Sequence, residues 1–546
     1  MTNDGFAAEM ILLNGVIRTQ DTRKPLVEAA AIGAGRVLAT GGNDEMRALG
    51  GAKTEIIDLE GRLCLPGMMD SHFHYYTWAL GRRQLMLAET RSLSALLQQV
   101  SSAAESAERN QWILGQGWNE ADWPDGRIPT RHDLDKAAPA HPVALWRCDL
   151  HLVVVNSAAL ALARIDEDTP DPSKGVIVRD ESGRPNGVLR ESASRLVEAV
   201  IPPSGDEEIY EAMRDGIPAV HALGLTGLED IRLMGGADGK PAFTAWQRLR
   251  EGDALPLRCW VSIPGESLEE ALALGLRTGF GDDRLRIGHV KFFADGAMGA
   301  RTAWMLEPYL DGDCGMPLLP MNALKESLSR ADEAGLAVAV HSIGDRANRD
   351  LITILEELQS TRKGGSVPGS GGARVSHRID HVQMIRPEDV ARLSHLDIVA
   401  CVQPHNLVLD IGMIDASVGE RGRWAYPYRD LLDAGTAVVF SSDAPVCDPS
   451  PLAGIHAAVT RQREEGIPQG GWYPAQRITV EEAVRGYTLL PAAAYGVADR
   501  MGSITPGKYA DMVVLDRDIY TIEPGEIRRT NVDMTIFEGR IVFRRA

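Results

Sequence analysis

Eight short apolar runs alternate with helical stretches through the middle of the chain, and this alternation constrains the fold more than any other feature. The alternation predicts βα units and a parallel sheet. We expect strands at residues 63–71, 224–229, 257–263, 285–293, 336–341, 375–381, 398–403 and 437–442. A closed (β/α)8 barrel needs eight such strands. The sequence therefore predicts an α/β protein built on a (β/α)8 TIM-type barrel.

The two ends of the chain carry short strands with tight turns instead. Strand-like runs occur at 10–18, 29–38, 54–59, 510–516 and 532–543, with turns at Asn14-Gly15 and at 33–35. Neither end is long enough to form a stable sheet alone. We therefore predict one small β-sandwich domain from residues 1–64 and 495–546, with the barrel at 65–84 and 211–494. Two further apolar runs, at 112–117 and 143–147, place an α+β insertion at 85–210, which we expect to cap the barrel mouth.

Composition excludes several classes of partner. The net charge of −19 disfavours nucleic acid and anionic membranes. The six cysteines show no C-x-x-C spacing, which indicates reduced thiols in a cytoplasmic protein. The N-terminus lacks a signal-peptide pattern, and no apolar run reaches the roughly 18 residues of a membrane span. We expect a small-molecule substrate, no nucleic-acid or membrane partner, and leave a homodimer open.

The first barrel strand runs into His72-Phe73-His74. Residues i and i+2 of a strand point to the same side, so the two imidazoles can converge on one point. Such a pair suits a divalent metal such as zinc. Isolated His-x-His pairs also occur by chance on exposed strands, so the interpretation depends on the other strand ends.

Those strand ends carry further candidate ligands. The fourth strand holds Lys291, the fifth His341 and the sixth His381, while Asp443 follows the eighth. Four histidines and an aspartate at one barrel mouth can ligate one or two metals. Taken singly, each histidine could be an ordinary hydrogen-bonding residue, Asp443 a turn cap and Lys291 a partner of a carboxylate. These alternatives do not explain why all of them fall at strand ends.

Lys291 is the exception in charge, because an ammonium is unsuited to a place beside a dication. A buried lysine can lose its proton. The neutral amine can then take up CO2 and become a carbamate, whose carboxylate could bridge two metals. The sequence leaves this modification open.

Several motifs together resemble the amidohydrolase superfamily, and more narrowly the branch that includes N-substituted formamide deformylases. They are residues 65–74 (LPGMMDSHFH), 290–296 (VKFFADG), 341–347 (HSIGDRA), 379–381 (IDH), 442–445 (SDAP) and 502–511 (GSITPGKYAD). The resemblance covers nearly the whole chain. It implies a distorted barrel, a β-sandwich from both termini and hydrolysis at a metal centre. The implied ligands are His72, His74, Lys291 as a carbamate, His341 and His381, with Asp443 as ligand and proton shuttle.

The insertion contains sequence motifs that resemble those of that branch, at residues 115–119, 147–151, 156–160 and 186–191. Relatives have Asp-Gly-His where this chain has Asp149-Leu150-His151, which puts the local turn in doubt. We assign substrate contacts to Trp118 and His151, although a structural role for His151 is equally open.

Two arginines near strand ends are further candidates for substrate binding. Arg301 and Arg346 could bind an acidic group of the substrate, and each could equally pair with Asp295 or Asp345. We rank the structural role first for both arginines.

The mechanism that we expect is metal-assisted hydrolysis of a non-peptide C–N bond, of amide or N-formyl type. Water activated as hydroxide by the metal attacks the carbonyl, and Asp443 accepts the proton and returns it to the leaving amine. The same centre could instead cleave esters or lactones, or deaminate a heterocycle. A non-catalytic metal-binding protein with this fold is the alternative outside enzymes.

Overall fold

A computed structural model describes residues 7–87, 90–120, 123–124, 126–147, 152–172, 175–191, 193–361, 367–368 and 374–546. By the density of internal contacts the chain forms two compact units. One comprises Met1–Thr77 with Met213–Ala546, and the other comprises Trp78–Ala212.

The first unit contains the predicted barrel of eight parallel strands. In chain order these barrel strands are Met68–Phe73, Leu225–Asp230, Arg258–Pro264, Leu285–Phe293, Val338–Ser342, His377–His381, Ile398–Val402 and Ala437–Phe440. Each pairs in parallel with the next along the chain. The fold class predicted from the alternating pattern is confirmed.

The first barrel strand is shorter than the expected run 63–71. The structure divides that run at Gly67 into Leu63–Pro66, which belongs to a different sheet, and Met68–Phe73. A side chain at Gly67 would collide with Thr226, because an added Cβ would lie well inside contact distance of its hydroxyl and methyl groups. A glycine therefore lets the chain leave one sheet and enter the barrel without a gap.

The first and eighth barrel strands meet at the carboxyl end of the barrel. Beyond the regular hydrogen bonds between strands, the N–H of Asp443 donates to the carbonyl of His72 at 2.8 Å. The N–H of His74 donates to the carbonyl of Ala444 at 2.9 Å. The seam of the barrel is thus bonded next to three of the candidate ligands.

The first unit contains two further sheets, one built from N-terminal residues alone and one built from residues of both ends of the chain. One sheet contains Arg36–Gly41, Ala29–Gly33, Ala8–Leu13 and Gly50–Asp58. The other contains Arg540–Arg544, Val532–Phe537, Met512–Leu515, Leu63–Pro66, Val16–Arg18 and Leu26–Val27. A common apolar core joins them, including Leu12, Ile32, Leu59, Val514 and Ile536. Asn14 and Ala34 adopt positive φ angles in the predicted turns.

The second unit is built on a mixed six-stranded sheet. Its strands, in spatial order, are Gly175–Arg179, Pro185–Glu191, Leu152–Val155, Val143–Arg147, Ile113–Trp118 and Leu85–Met86. Its helices are Leu93–Ser106, Arg131–Ala137, Ser157–Leu162 and Arg195–Glu198. Ile113–Trp118 and Val143–Arg147 are the two extra apolar runs noted in the sequence. The capping role of this insertion stays a prediction.

The remaining helices are mostly those that connect the barrel strands. They are Asn43–Arg47, Tyr75–Gly81, Asp206–Ala222, Gly239–Glu251, Leu268–Ala273, Met321–Glu333, Asp345–Thr361, Pro387–Leu393, Pro404–Val418, Tyr428–Asp433, Pro451–Thr460, Val480–Tyr487 and Leu489–Ala494. Short 3-10 helices occur at Gly265–Ser267, Gly419–Trp424, Pro474–Gln476 and Pro524–Arg529, and a two-stranded ribbon at Val367–Pro368 and Arg374–Val375. Within the described ranges, none of the helices has the length and apolar character needed to cross a bilayer.

A buried ion pair links the third barrel strand to the C-terminal segment. Arg258 donates to both carboxylate oxygens of Asp511, at 2.6 Å and 3.1 Å, and its guanidinium lies over the ring of Tyr509 at 3.9 Å. Asp511 also accepts the N–H of Glu538 at 2.9 Å. The aspartate that ends the motif 502–511 is therefore a structural anchor.

We predict that Asp511→Ala destabilises the protein strongly, because it leaves the buried guanidinium of Arg258 without its main partner. Breaking one side of a buried pair costs about 3–5 kcal/mol. Thermal unfolding followed by circular dichroism should show a clear fall in Tm. Glu269→Gln, which breaks the exposed pair with Arg330, is the control and should leave the Tm unchanged. Equal Tm values for the two variants would contradict the anchoring role.

Candidate active site

The six residues predicted to ligate metal lie together. His72, His74, Lys291, His341, His381 and Asp443 line one cavity of about 460 Å³ at the carboxyl end of the barrel strands. Asp443 Oδ1 lies 3.2 Å from the Nε2 atoms of both His72 and His74. The rings of His341 and His381 are in edge contact, with centroids 4.5 Å apart.

Three of the imidazoles are held by a hydrogen bond on one ring nitrogen. His74 Nδ1 donates to Ile231 O at 2.9 Å, and His381 Nδ1 donates to Gln403 Oε1 at 2.8 Å. His341 uses Nε2 to donate to Gly296 O at 3.1 Å. Each bond orients its ring, and in a neutral imidazole the other nitrogen is then the one able to bind a metal.

Burial keeps two of these rings neutral. It lowers the pKa of His341 to about 4, with the charge of Lys291 adding to the effect. Burial likewise holds the pKa of His381 well below its usual value. Neutral imidazole is the form that ligates a metal, so neither ring must release a proton on binding.

His72 has a different environment. Burial and Lys291 lower its pKa, but the carboxylates of Asp380 and Asp443 outweigh both and raise it to about 10. Its Nδ1 lies 3.1 Å from Asp380 Oδ2, on the side opposite Asp443. Binding of a cation at His72 is therefore coupled to the loss of a proton.

Asp380 is a central residue of the site that the sequence analysis did not assign. It is fully buried, and its Oδ2 accepts a 2.5 Å hydrogen bond from Lys291 Nζ. Its other oxygen lies 2.8 Å from Arg378 Nε. Burial raises the pKa of Asp380, but the charges of Arg378 and Lys291 outweigh it and hold the pKa well below its usual range. Lys291 therefore has the carboxylate partner that was one of its alternatives.

A second layer of charge lies deeper in the barrel. Glu229 accepts hydrogen bonds from Arg378 at 2.9 Å, from Tyr495 at 2.7 Å and from His289 at 2.9 Å, and all four residues are buried. A signal for this layer existed in the sequence. Arg378 and Asp380, like His289 and Lys291, are polar residues at i and i+2 of apolar strands, so each pair points to one side.

The backbone at two strand ends is strained. His381, Val382 and Asp443 have φ values of 77°, 45° and 62°, which non-glycine residues adopt at a cost. Hydrogen bonds hold these conformations: Val382 N donates to Ser342 O at 3.1 Å, and Asp443 N to His72 O at 2.8 Å. The strain breaks the strand alternation and brings both side chains into the cavity.

Asp70, in the first barrel strand, holds the backbone next to Asp443 in place. Its carboxylate accepts the N–H groups of His72 and Ser442, each at 3.1 Å. Burial raises the pKa of Asp70 to about 6. The residue ties the His-x-His segment to the segment that carries Asp443, and the sequence analysis did not identify it.

Trp118, a candidate for substrate binding, belongs to the second unit. Trp118 is fully buried in the core of the second unit, and its Nε1 donates to Leu145 O at 3.0 Å. The only polar atom of its side chain is therefore already bonded. His151 lies outside the described residues.

Both arginines have structural partners, as ranked first, but the partners differ from those expected. Arg301 pairs with Asp311 at 3.0 Å, and Arg346 pairs with Asp350 at 3.0 Å, one helical turn away. Neither arginine is among the cavity residues of the first unit.

The expected partners, Asp295 and Asp345, are engaged elsewhere. Asp295 accepts the N–H groups of Ile343 and Gly344 at 3.0 Å and 2.8 Å. Asp345 forms an ion pair with Arg386 at 2.7 Å. The prediction that either arginine pairs with these carboxylates is therefore wrong. Backbone N–H groups occupy Asp295, and Arg386 occupies Asp345.

The donor atoms fit a metal ion. One ligand atom each from His72, His381 and Asp443 lies within 4.8 Å of the others, and all three residues are buried. A second such group, His72, Asp380 and Cys401, lies deeper, but Lys291 is bonded to its carboxylate. Two imidazoles and a carboxylate are ligands typical of zinc.

Comparison with known proteins agrees with this geometry. Residues 55–543 match the profile of the Amidohydrolase family, and the chain belongs to that family. It is 31% identical to YtcJ of Bacillus subtilis (strain 168) over 538 residues, covering 97% of this chain and 99% of YtcJ. It is 27% identical over 555 residues to the N-substituted formamide deformylase of Arthrobacter pascens, covering 98% of each chain.

A solved structure gives the same result for the fold. An uncharacterized metal-dependent hydrolase from Pyrococcus horikoshii OT3 superposes with a TM-score of 0.76 at 26% identity, covering 94% of this chain and 99% of the other. The chain is accordingly a metal-dependent hydrolase of the amidohydrolase type.

Proposed function

We propose that the protein hydrolyses a non-peptide C–N bond, of amide or N-formyl type, in a small molecule. The observation that carries this proposal is the convergence of four imidazoles on Asp443, whose carboxylate lies 3.2 Å from His72 and His74. The name of the Arthrobacter pascens relative supports cleavage of a formamide C–N bond. The cavity of about 460 Å³ is of a size for a small molecule.

The residues that would hold the metal are His72, His74, His341, His381 and Asp443. We propose zinc, because imidazole nitrogens and one carboxylate oxygen form a set that zinc prefers. When bound, the metal supplies a Lewis acid for the carbonyl and lowers the pKa of water. Lys291 would join the ligands only as a carbamate.

Asp443 carries the proton transfers in this proposal. Its carboxylate orients the attacking water and accepts one of its protons. The oxygen of that water adds to the carbonyl carbon, the C–N bond breaks, and Asp443 gives the proton to the leaving nitrogen. The products are a carboxylic acid and an amine, and Asp443 returns to its starting charge.

We predict that protein purified without chelator contains at least about one zinc per chain, since four or five donors converge. Gln403→Leu removes the acceptor that orients His381 and should weaken metal binding about 10–100-fold. His395→Asn, on the exposed surface, is the matched control and should keep full metal content. Elemental analysis and competition with a chelator measure both. A metal-free preparation with full activity would exclude the proposal.

We predict one metal per chain, because Lys291 Nζ is hydrogen-bonded to Asp380 Oδ2 at 2.5 Å, and an unmodified lysine engaged in this way cannot bridge two cations. A carbamate would make the side chain an anion able to bridge a second metal. Metal stoichiometry, combined with 13C NMR after equilibration in 13C-bicarbonate, separates the two forms. Two metals together with a carbamate resonance that Lys291→Ala abolishes would contradict the one-metal form.

We predict that Asp443→Asn lowers kcat by about 10²–10⁴-fold, the usual contribution of general acid–base catalysis. The amide keeps the size of the side chain but cannot accept the proton. The histidines should still hold most of the metal, which elemental analysis checks. Asp448→Asn, a change of the same charge outside the cavity residues, serves as the control. Near-wild-type kcat in metal-loaded Asp443→Asn would rule out the shuttle.

A further inference from the structure

Helix Pro404–Val418 forms a second wall of the active-site cavity. Asn406, Leu409, Asp410 and Met413 line the cavity from this helix. Their spacing of three, four and seven residues places them on one face of the helix. Asp410 is therefore a carboxylate in the same cavity as Asp443, on an element that carries none of the proposed ligands.

The carboxylate of Asp410 is fixed from behind by two donors. Its Oδ2 accepts a hydrogen bond from Tyr426 Oη at 2.6 Å and another from Gln383 Nε2 at 3.0 Å. Tyr426 is buried, and its carbonyl accepts a 2.9 Å hydrogen bond from the buried Arg461. Such double support holds the carboxylate in one orientation and stabilises its charged form.

The other oxygen of Asp410 faces no partner within the described part of the chain. All hydrogen bonds that the residue accepts there end on Oδ2, and the side chain is half-buried at the cavity. Burial raises the pKa of Asp410, against the effect of its two donors. A molecule in the cavity that donates a hydrogen bond to Oδ1 would compensate this partly desolvated charge.

No free cation offsets this charge among the described cavity residues. Lys291 is the one lysine or arginine that lines the cavity there, and it is bonded to Asp380. The neighbouring wall is apolar, with Leu233, Phe293 and Met413. The cavity therefore combines the supported carboxylate of Asp410, in addition to the candidate ligand Asp443, with apolar surface, in a chain whose net charge is −19. On the helix wall that carries Asp410, away from the residues proposed to hold the metal, this combination favours a cationic group over an anionic one.

We propose that Asp410 is a specificity-determining residue that binds a cationic hydrogen-bond donor, an amine or amidine, on the substrate. The inference rests on the proposed hydrolysis, because it names the class of substrate for that site. The substrate would be an amide whose cationic group reaches Asp410, while an apolar spacer packs against Leu409 and Met413. The acyl carbon would remain beside Asp443.

The test uses the full-length zinc-loaded protein and isothermal titration with three small aromatic probes. Benzamidinium offers charge and N–H donors, benzyltrimethylammonium offers charge alone, and benzenesulfonate is an anion of similar size. We expect benzamidinium to bind at least about 10-fold more tightly than either other probe, as a charge-assisted hydrogen bond allows. This ranking in the wild-type protein needs no variant.

Asp410→Asn is the decisive variant, and we expect it to weaken benzamidinium binding by about 10-fold or more. Asp415→Asn removes a carboxylate from the exposed side of the same helix, where Asp415 accepts from Trp472, and should change the affinity less than about twofold. Circular dichroism checks the fold of both variants. Equal weakening by the two variants, unchanged binding to Asp410→Asn, or a wild-type preference for either other probe would overturn the proposal.

A hydrolysis assay distinguishes failure of this proposal from failure of the hydrolytic function on which it rests. Matched N-formyl compounds ending in an ammonium, a methyl or a carboxylate group are compared by kcat/KM. A preference for the ammonium that Asp410→Asn abolishes supports both proposals. If no compound is hydrolysed but benzamidinium binding still depends on Asp410, the hydrolytic function fails and the cation site stands. Hydrolysis without any preference overturns the role of Asp410.

Discussion

The balance of buried charge inside the barrel is the constraint on which the site depends. Asp380 lies between Arg378 and Lys291 and beside the Nδ1 of His72, with each side chain almost inaccessible to water. Removing one member of such a group leaves a buried charge uncompensated, at a cost of about 3–5 kcal/mol. The ring of His72 is thus positioned by the charge of Asp380 as well as by packing. Glu229 extends the compensation one layer deeper.

The two sides of the cavity differ in how they are built. On the barrel side, hydrogen bonds to ring nitrogens and strained backbone at His381 and Asp443 converge the side chains on one point. On the helix side, Asp410 is supported by two donors and shares its helix face with Leu409 and Met413. The first arrangement suits bond cleavage and the second suits selection among substrates. One fold supplies both, because barrel strands end where the connecting helices begin.

The sequence was sufficient to predict the barrel and which side chains come together at its strand ends, because both depend on local periodicity. The fourth strand matches its expected limits, and the five proposed ligand residues line one cavity. Asp380 was missed because its role arises from Lys291 and His72, which lie on other strands. The predicted partners of Arg301 and Arg346 were wrong for a related reason. Pairing depends on loop and helix geometry that no periodic pattern encodes.

Gly67 has a consequence for how the molecule is assembled. Leu63–Pro66 pairs with Met512–Leu515, near the opposite end of the chain, and passes directly into the strand that carries His72. The histidine-bearing strand therefore leaves the ribosome well before Met512–Leu515, the strand that pairs with the residues just preceding it. Contacts so distant in sequence close slowly. The anchor of the histidine-bearing strand is accordingly a contact that can close only after all eight barrel strands have been synthesised.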